Sequence, residues 1–333
     1  MAIVRGKKEV LRLYREAAER QWVVPTFCAE NQTTVEAVLA AAQTKAEQLG
    51  RRVPITIAIT GRYDHRPQSV WYAASRDWYT GLSLFLDDVE VVARVDGPYP
   101  DVDVLTHFDH GQPDVDAEVL TQSLDRFSSV MFDASALPWE DNLARTADFV
   151  MKRGSQVLVE GAADEIIDAG GAEHAELTTP ERAEEFVERT KADMVVANLG
   201  TEHRASAADL RYVPEAARAI AERIGPKLVL HGASSVPAEG LATLYADGVC
   251  KVNVWTILER QSSAALLAAM ARDAVAVAGR EVVEQLIDEG LLGPAARQNG
   301  SASLSRFASA WRNEVVHDEM RAIVSGYLDL WYR

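Results

Sequence analysis

Eight short runs rich in Val, Ile and Leu punctuate the chain, near residues 22–27, 54–60, 103–109, 128–133, 155–160, 194–199, 227–231 and 249–254. Most are continuous rather than alternating, the pattern of parallel strands buried on both faces. Amphipathic segments separate them. Thr33-Thr34-Val35-Glu36-Ala37-Val38-Leu39 reads as a helix entered through a threonine cap. Thr179-Pro180-Glu181 shows a cap, a proline in the first turn and an acidic residue at the positive end of a helix. Eight such β/α units over about 250 residues predict a (β/α)8 TIM barrel spanning about 20–260, of class α/β, with extra C-terminal helices. Residues 1–333 read as one domain, with the C-terminal helical extension over about 257–333. A doubly wound open sheet is the runner-up, but no glycine-rich dinucleotide fingerprint follows the first strand. Residues 61–82 read as a long aromatic and basic loop after strand 2. A final helix from Trp311 to Arg333 carries Val315, Val316, Met320, Ile323, Val324, Leu328 and Leu330 at roughly helical spacing. That stripe suits either the outer wall of the barrel or an oligomer interface.

Composition narrows the function. The 333 residues are 48% hydrophobic, ample for a large core. A formal charge of -16 speaks against nucleic acid as a partner, which calls for a basic face. It leaves anionic small molecules open, because a local cation overrides the global field. Cys28 and Cys250 are the only cysteines, so a reducing compartment is expected. The first residues lack the apolar stretch of a signal peptide, and no run approaches the roughly 20 apolar residues that span a bilayer. A cytoplasmic protein with no membrane partner is the expectation.

Three of the apolar runs lead into histidines: His110 after Val102–Asp109, His203 after Met194–Glu202, and His231 after Lys227–Leu230. In parallel α/β proteins active sites lie at the C-terminal ends of strands. A single histidine there is usually structural. Three neutral imidazoles converging on one point, beside the carboxylate of Asp109, make the ligand set of a catalytic zinc site. His107 shares the alternation of Asp109 and lines the interior or supports a ligand. His65, His174 and His317 are not read as ligands.

In these motifs the chain resembles the class II, metal-dependent fructose-bisphosphate aldolase family, which includes tagatose-bisphosphate aldolases. The resemblance rests on Thr106-His107-Phe108-Asp109-His110-Gly111, Ser129 to Ser135, Gly200-Thr201-Glu202-His203, Leu230-His231-Gly232-Ala233-Ser234 and Lys251-Val252-Asn253-Val254-Trp255-Thr256, in the family's order. It implies His110, His203 and His231 as ligands to Zn2+ or another divalent metal, with a monovalent cation as a further candidate. It implies Asp109 as catalytic acid/base and a carboxylate of the 161–178 segment at the C3 proton. Glu173 is the first candidate for that carboxylate and Glu165 the second. Asp133 and Glu160 would support the metal site. Gly232, Ala233, Ser234, Asn253 and Thr256 would hold the phosphate half of the substrate. The implied reaction is reversible cleavage of a phosphorylated ketose, such as fructose 1,6-bisphosphate, into dihydroxyacetone phosphate and an aldehyde through an enediolate. Such enzymes work as a homodimer or homotetramer.

Departures from the family pattern gather around the substrate. Ala233 stands for a glycine, Trp255 for a smaller or acidic residue, and Cys28 for an asparagine in Phe27-Cys28-Ala29-Glu30-Asn31. Arg204 stands for a glycine, and offers an anion contact of its own. Arg62 and Arg66 are either anion contacts or solvated loop charges. Trp71, Trp78 and Trp255 could stack on a sugar or belong to the packing. Two alternatives follow: an aldolase for a different ketose, or a non-catalytic sugar-phosphate-binding or companion subunit on the same fold.

Overall fold

The computed structural model describes residues 3–122, 124–164, 177–201 and 212–333. Helix α1 (Lys7–Glu19) precedes β1 (Val24–Cys28). Then follow α2 (Gln32–Leu49), β2 (Val53–Thr60), α3 (Gln68–Trp71), α4 (Trp78–Val92), β3 (Val102–Gly111), α5 (Ala117–Gln122), β4 (Ser129–Phe132) and α6 (Trp139–Arg153). The second half runs β5 (Leu158–Ala162), α7 (Pro180–Thr190), β6 (Met194–Val196), α8 (Pro214–Ile224), β7 (Leu228–Leu230), α9 (Ala238–Leu241) and β8 (Val249–Val254). The eight strands close in sequence order, β8 pairing with β1, and every pairing is parallel. This is the (β/α)8 barrel that the apolar runs predict. Past it come α10 (Thr256–Arg272), α11 (Ala274–Ala278), α12 (Arg280–Asp288), α13 (Leu304–Phe307) and α14 (Ser309–Trp331).

Several boundaries differ from the sequence reading for local reasons. The cap of α2 is Asn31, whose side chain accepts from the Thr34 amide at 3.2 Å, not a threonine. Residues 61–82 are not one loop: they contain α3 and the first turn of α4. Asp77 caps that turn by accepting from the Thr80 amide at 2.7 Å. Aromatic crowding hides the helical period of α4, whose buried face begins at Gly81, Leu82 and Phe85. Strand β6 stops at Val196 because the chain leaves the ladder: Asn198 N donates to Thr178 Oγ1 at 2.8 Å. Strand β5 starts late, after a turn in which Gln156 N donates to Arg153 O, so Glu160 lies inside the strand and not at its end.

The C-terminal stripe packs on the barrel's outer layer. Met320, Val324, Tyr327, Leu328 and Trp331 are buried on α14, which lies against α2 and α10. Its end reaches the base of the barrel. Tyr332 is fully buried, its ring centroid is 4.6 Å from that of Trp22, and its hydroxyl donates to Pro54 O. Helices α11 and α12 build a small separate cluster of Ala274, Val275, Val283 and Ala296.

Candidate active site at the C-terminal mouth of the barrel

Adjacent residues in a strand face opposite ways, yet Asp109 and His110 belong to one site. Register explains it. Phe108 pairs with Val130 but Gly111 pairs with Phe132, so β3 carries one residue more than β4 between these points. The extra residue is a β-bulge, which re-aims a side chain. Its geometric mark is His110 at φ 49°, a left-handed conformation unusual for histidine.

The result is a buried convergence. Asp109, His110 and His231 place donor atoms within 4.8 Å of one another, and among the described residues no other such group of His, Cys, Asp or Glu occurs. His231 follows β7 directly and is succeeded by Gly232 at φ 71°, which turns the backbone back across the mouth. His110 Nδ1 is 2.7 Å from Asp133 Oδ2, while Asp133 Oδ1 accepts from Ser135 Oγ at 2.6 Å. A carboxylate on Nδ1 directs Nε2 towards the centre, the habit of metal-binding histidines. Tyr63 stacks on the His110 ring at 4.5 Å, the two planes nearly parallel. Two buried imidazoles converging beside a buried carboxylate suit a borderline divalent cation such as zinc, held by the ring nitrogens. His203, the third expected ligand, lies outside the described residues, as do Arg204, Glu165, Glu173 and His174.

Asp109 is held on every side. Its Oδ2 accepts from Arg66 Nη2 at 2.8 Å and from Cys28 Sγ at 3.5 Å. Its Oδ1 accepts from Asn253 Nδ2 at 3.1 Å and lies 3.7 Å from His107 Nε2. Burial pushes the carboxyl up, but His110, His107, His231 and Arg66 together hold it well below the usual range. Cys28, by contrast, is pushed up to about 12, chiefly by burial, and stays a thiol.

Deeper in the barrel, Lys251 and Glu160 form a fully buried ion pair at 2.8 Å. Lys251 Nζ also lies 3.4 Å from His107 Nε2, and His107 Nδ1 is 2.7 Å from Ser129 Oγ. Glu160 thus reaches the site only through Lys251 and His107. Lys251 does not line the cavity at the mouth.

That cavity is bounded by Cys28, Arg66, Asp109, His231, the Gly232–Ser234 turn, Asn253, Trp255 and Thr256. All the described residues expected at the phosphate half are therefore in it. One wall, Arg66, is a residue that the sequence leaves between an anion contact and a solvated loop charge, and Glu30, which supports another wall, is not singled out by the sequence. Arg66 is 7% exposed, neither a solvated loop charge nor a distant contact, and its guanidinium stacks 4.8 Å over Trp255. Glu30 holds Trp255 from behind, accepting from its Nε1 at 2.7 Å and from Gln68 Nε2 at 2.9 Å. Asn31, at the end of the same segment, is the cap of α2. Of the other tryptophans, Trp71 is exposed and Trp78 sits under the guanidinium of Arg62, 4.7 Å away.

Comparison with known proteins gives the family and the fold. Residues 8–297 match the family described as fructose-bisphosphate aldolase class-II. The D-tagatose-1,6-bisphosphate aldolase subunit GatY of Klebsiella oxytoca is 32% identical over 280 residues, 80% of this chain and 86% of that protein. Among solved structures, fructose-bisphosphate aldolase of Campylobacter jejuni superposes with a TM-score of 0.76 at 17% identity, covering 99% of this chain and 95% of its own. The YdjI aldolase of Escherichia coli K12 superposes with a TM-score of 0.63 at 20% identity, covering 96% and 95%. Family match, curated relative and barrel together place the chain in the class-II fructose-bisphosphate aldolase family.

Proposed function

We infer that the chain is a metal-dependent aldolase that cleaves a phosphorylated ketose between C3 and C4 to give dihydroxyacetone phosphate and an aldehyde. The observation that carries this reading is the bulge-built juxtaposition of Asp109 with His110 and His231. His110 and His231, with His203, would hold the cation, which supplies Lewis-acid polarisation of the ketone when bound. Asp109 acts on the C4 hydroxyl proton. Arg66, Asn253 and Cys28 already occupy its carboxylate oxygens, which suits a proton carrier more than a metal ligand. Asp133 orients His110, and Glu160, Lys251 and His107 stiffen the floor beneath Asp109. Glu173 is our candidate for the C3 proton. Gly232, Ala233, Ser234, Asn253 and Thr256 receive the phosphate half, with Arg204 as a further anion contact. We assign the protein to the cytoplasm, as a homodimer or homotetramer.

The test pairs metal content with product release. About one zinc per chain, and chelator-sensitive formation of dihydroxyacetone phosphate from fructose or tagatose 1,6-bisphosphate, is the expected result. A zinc-loaded protein that releases no triose or aldehyde from any ketose phosphate tried would sink the reading. The curated relative is described as a subunit, which favours a second reading in which turnover requires a companion chain. Activity of the purified chain alone decides against that reading.

A further inference from the structure

We propose that Arg66 is a substrate-binding residue, the guanidinium that anchors the phosphate of the ketose opposite the Gly232–Ser234 turn. The inference rests on the aldolase reading above. Arg66 is the only Lys or Arg among the described residues lining the cavity at the mouth. A phosphate monoester carries nearly two negative charges, and backbone amides alone leave most of that charge unmatched. The guanidinium is built in. Its residue's carbonyl accepts from Thr60 Oγ1, its plane stacks on Trp255, and Trp255 is held by Glu30. The buried Arg66 Nε has no hydrogen-bond partner. An N–H of this kind is costly to leave unmade, and in arginine it is half of a fork suited to two oxygens of one phosphate. Asn253 Oδ1, in the same cavity, is likewise buried without a partner, and offers an acceptor to a substrate hydroxyl.

The present cavity measures about 30 Å³, room for about two waters at roughly 10–15 Å³ each. On this proposal, bound phosphate draws the Arg66 guanidinium away from its place over Trp255 and towards the Gly232–Ser234 turn. Since Arg66 Nη2 also holds Asp109, the same shift loosens the grip on the carboxylate that has to move a proton. Phosphate at one end of the substrate and release of Asp109 at the other are thereby linked through one side chain. This gives Arg66 a place in choosing phosphorylated over unphosphorylated ketoses.

The test is calorimetric titration with inorganic phosphate and with dihydroxyacetone phosphate, on metal-free and zinc-loaded protein. Arg66→Met and Arg66→Lys are compared with wild type. We expect Arg66→Met to weaken both ligands at least tenfold, in metal-free protein as well, with Arg66→Lys in between. Discrimination between dihydroxyacetone phosphate and dihydroxyacetone should shrink by the same factor. In cleavage assays KM for the phosphorylated ketose should rise more than kcat falls; a residue that merely held Asp109 in place would show the reverse split. Trp255→Phe, which keeps an aromatic platform, guards against misfolding and should weaken phosphate only a few-fold. Wild-type-like phosphate binding in folded Arg66→Met overturns the proposal while leaving the aldolase reading intact. Loss of phosphate binding in a protein that cleaves no ketose upholds the anion site and removes the aldolase reading instead.

Discussion

A histidine at φ 49° costs on the order of 1–3 kcal/mol unless its surroundings hold it there. At position 110 they do, through Asp133 on one ring nitrogen and Tyr63 across the ring face. The strain sits where Asp109 must share a site with its neighbour. Asp109→Asn keeps the shape and removes the proton carrier, so turnover should fall roughly 100- to 10,000-fold. Zinc content, measured by atomic absorption, should stay near one per chain; a variant that turns over normally would strip Asp109 of its role. His231→Ala should do the opposite and empty the metal centre. Equal zinc occupancy in that variant would break the ligand assignment.

Between elements, the sharpest coupling is the buried ion pair of β5 and β8. Lys251→Met leaves Glu160 buried without its ion-pair partner, with His107 Nε2 3.7 Å away, which costs about 3–5 kcal/mol. Adding Glu160→Leu should recover much of that in urea denaturation, and no recovery would mean that the pair is not the cause. A second pair joins the end of β1 to the start of α10. Glu259 is pushed up to about 7, by burial first and by Glu30 second. Its folded pKa is raised above the ordinary 4.5, so its contribution to stability is whole below pH 4.5 and is lost as pH climbs through 7. Glu259→Gln should therefore gain on wild type by about 2 kcal/mol between pH 5 and pH 8, allowing for the water that reaches a partly buried side chain. An equal difference at both pH values would contradict this. Elements also show what the sequence discloses. Continuous apolar runs announce all eight strands, because burial on both faces leaves a one-dimensional trace. Glu30, Gln68 and Tyr63 leave none, and Arg66 leaves only a charge in an aromatic stretch: they reach the site through the fold of the β2–α4 connection and the end of β1, not through any period or motif. Lys251 did leave a mark, a lone charge inside an apolar strand on the same side as Asn253.

Across the whole molecule, α14 does for the barrel what a strap does for a cask. It crosses α2 and α10 and ends with Tyr332 against Trp22 and Pro54, at the base, far from the chemistry. Leu328, fully buried under it, should cost about 2–5 kcal/mol when cut to alanine. Thermal melting with unchanged zinc content and KM would show that the loss is one of stability alone; an altered KM would show that base and mouth are not independent. The bulge in β3 has the wider consequence. Because a single supernumerary residue sets which way Asp109 and His110 face, the site cannot be moved to another eight-stranded barrel by substitution. A graft of aspartate and histidine onto a regular strand would always turn one of them outward into the helix layer. What has to be transplanted is a change of parity, one residue inserted in one strand, and only then the side chains.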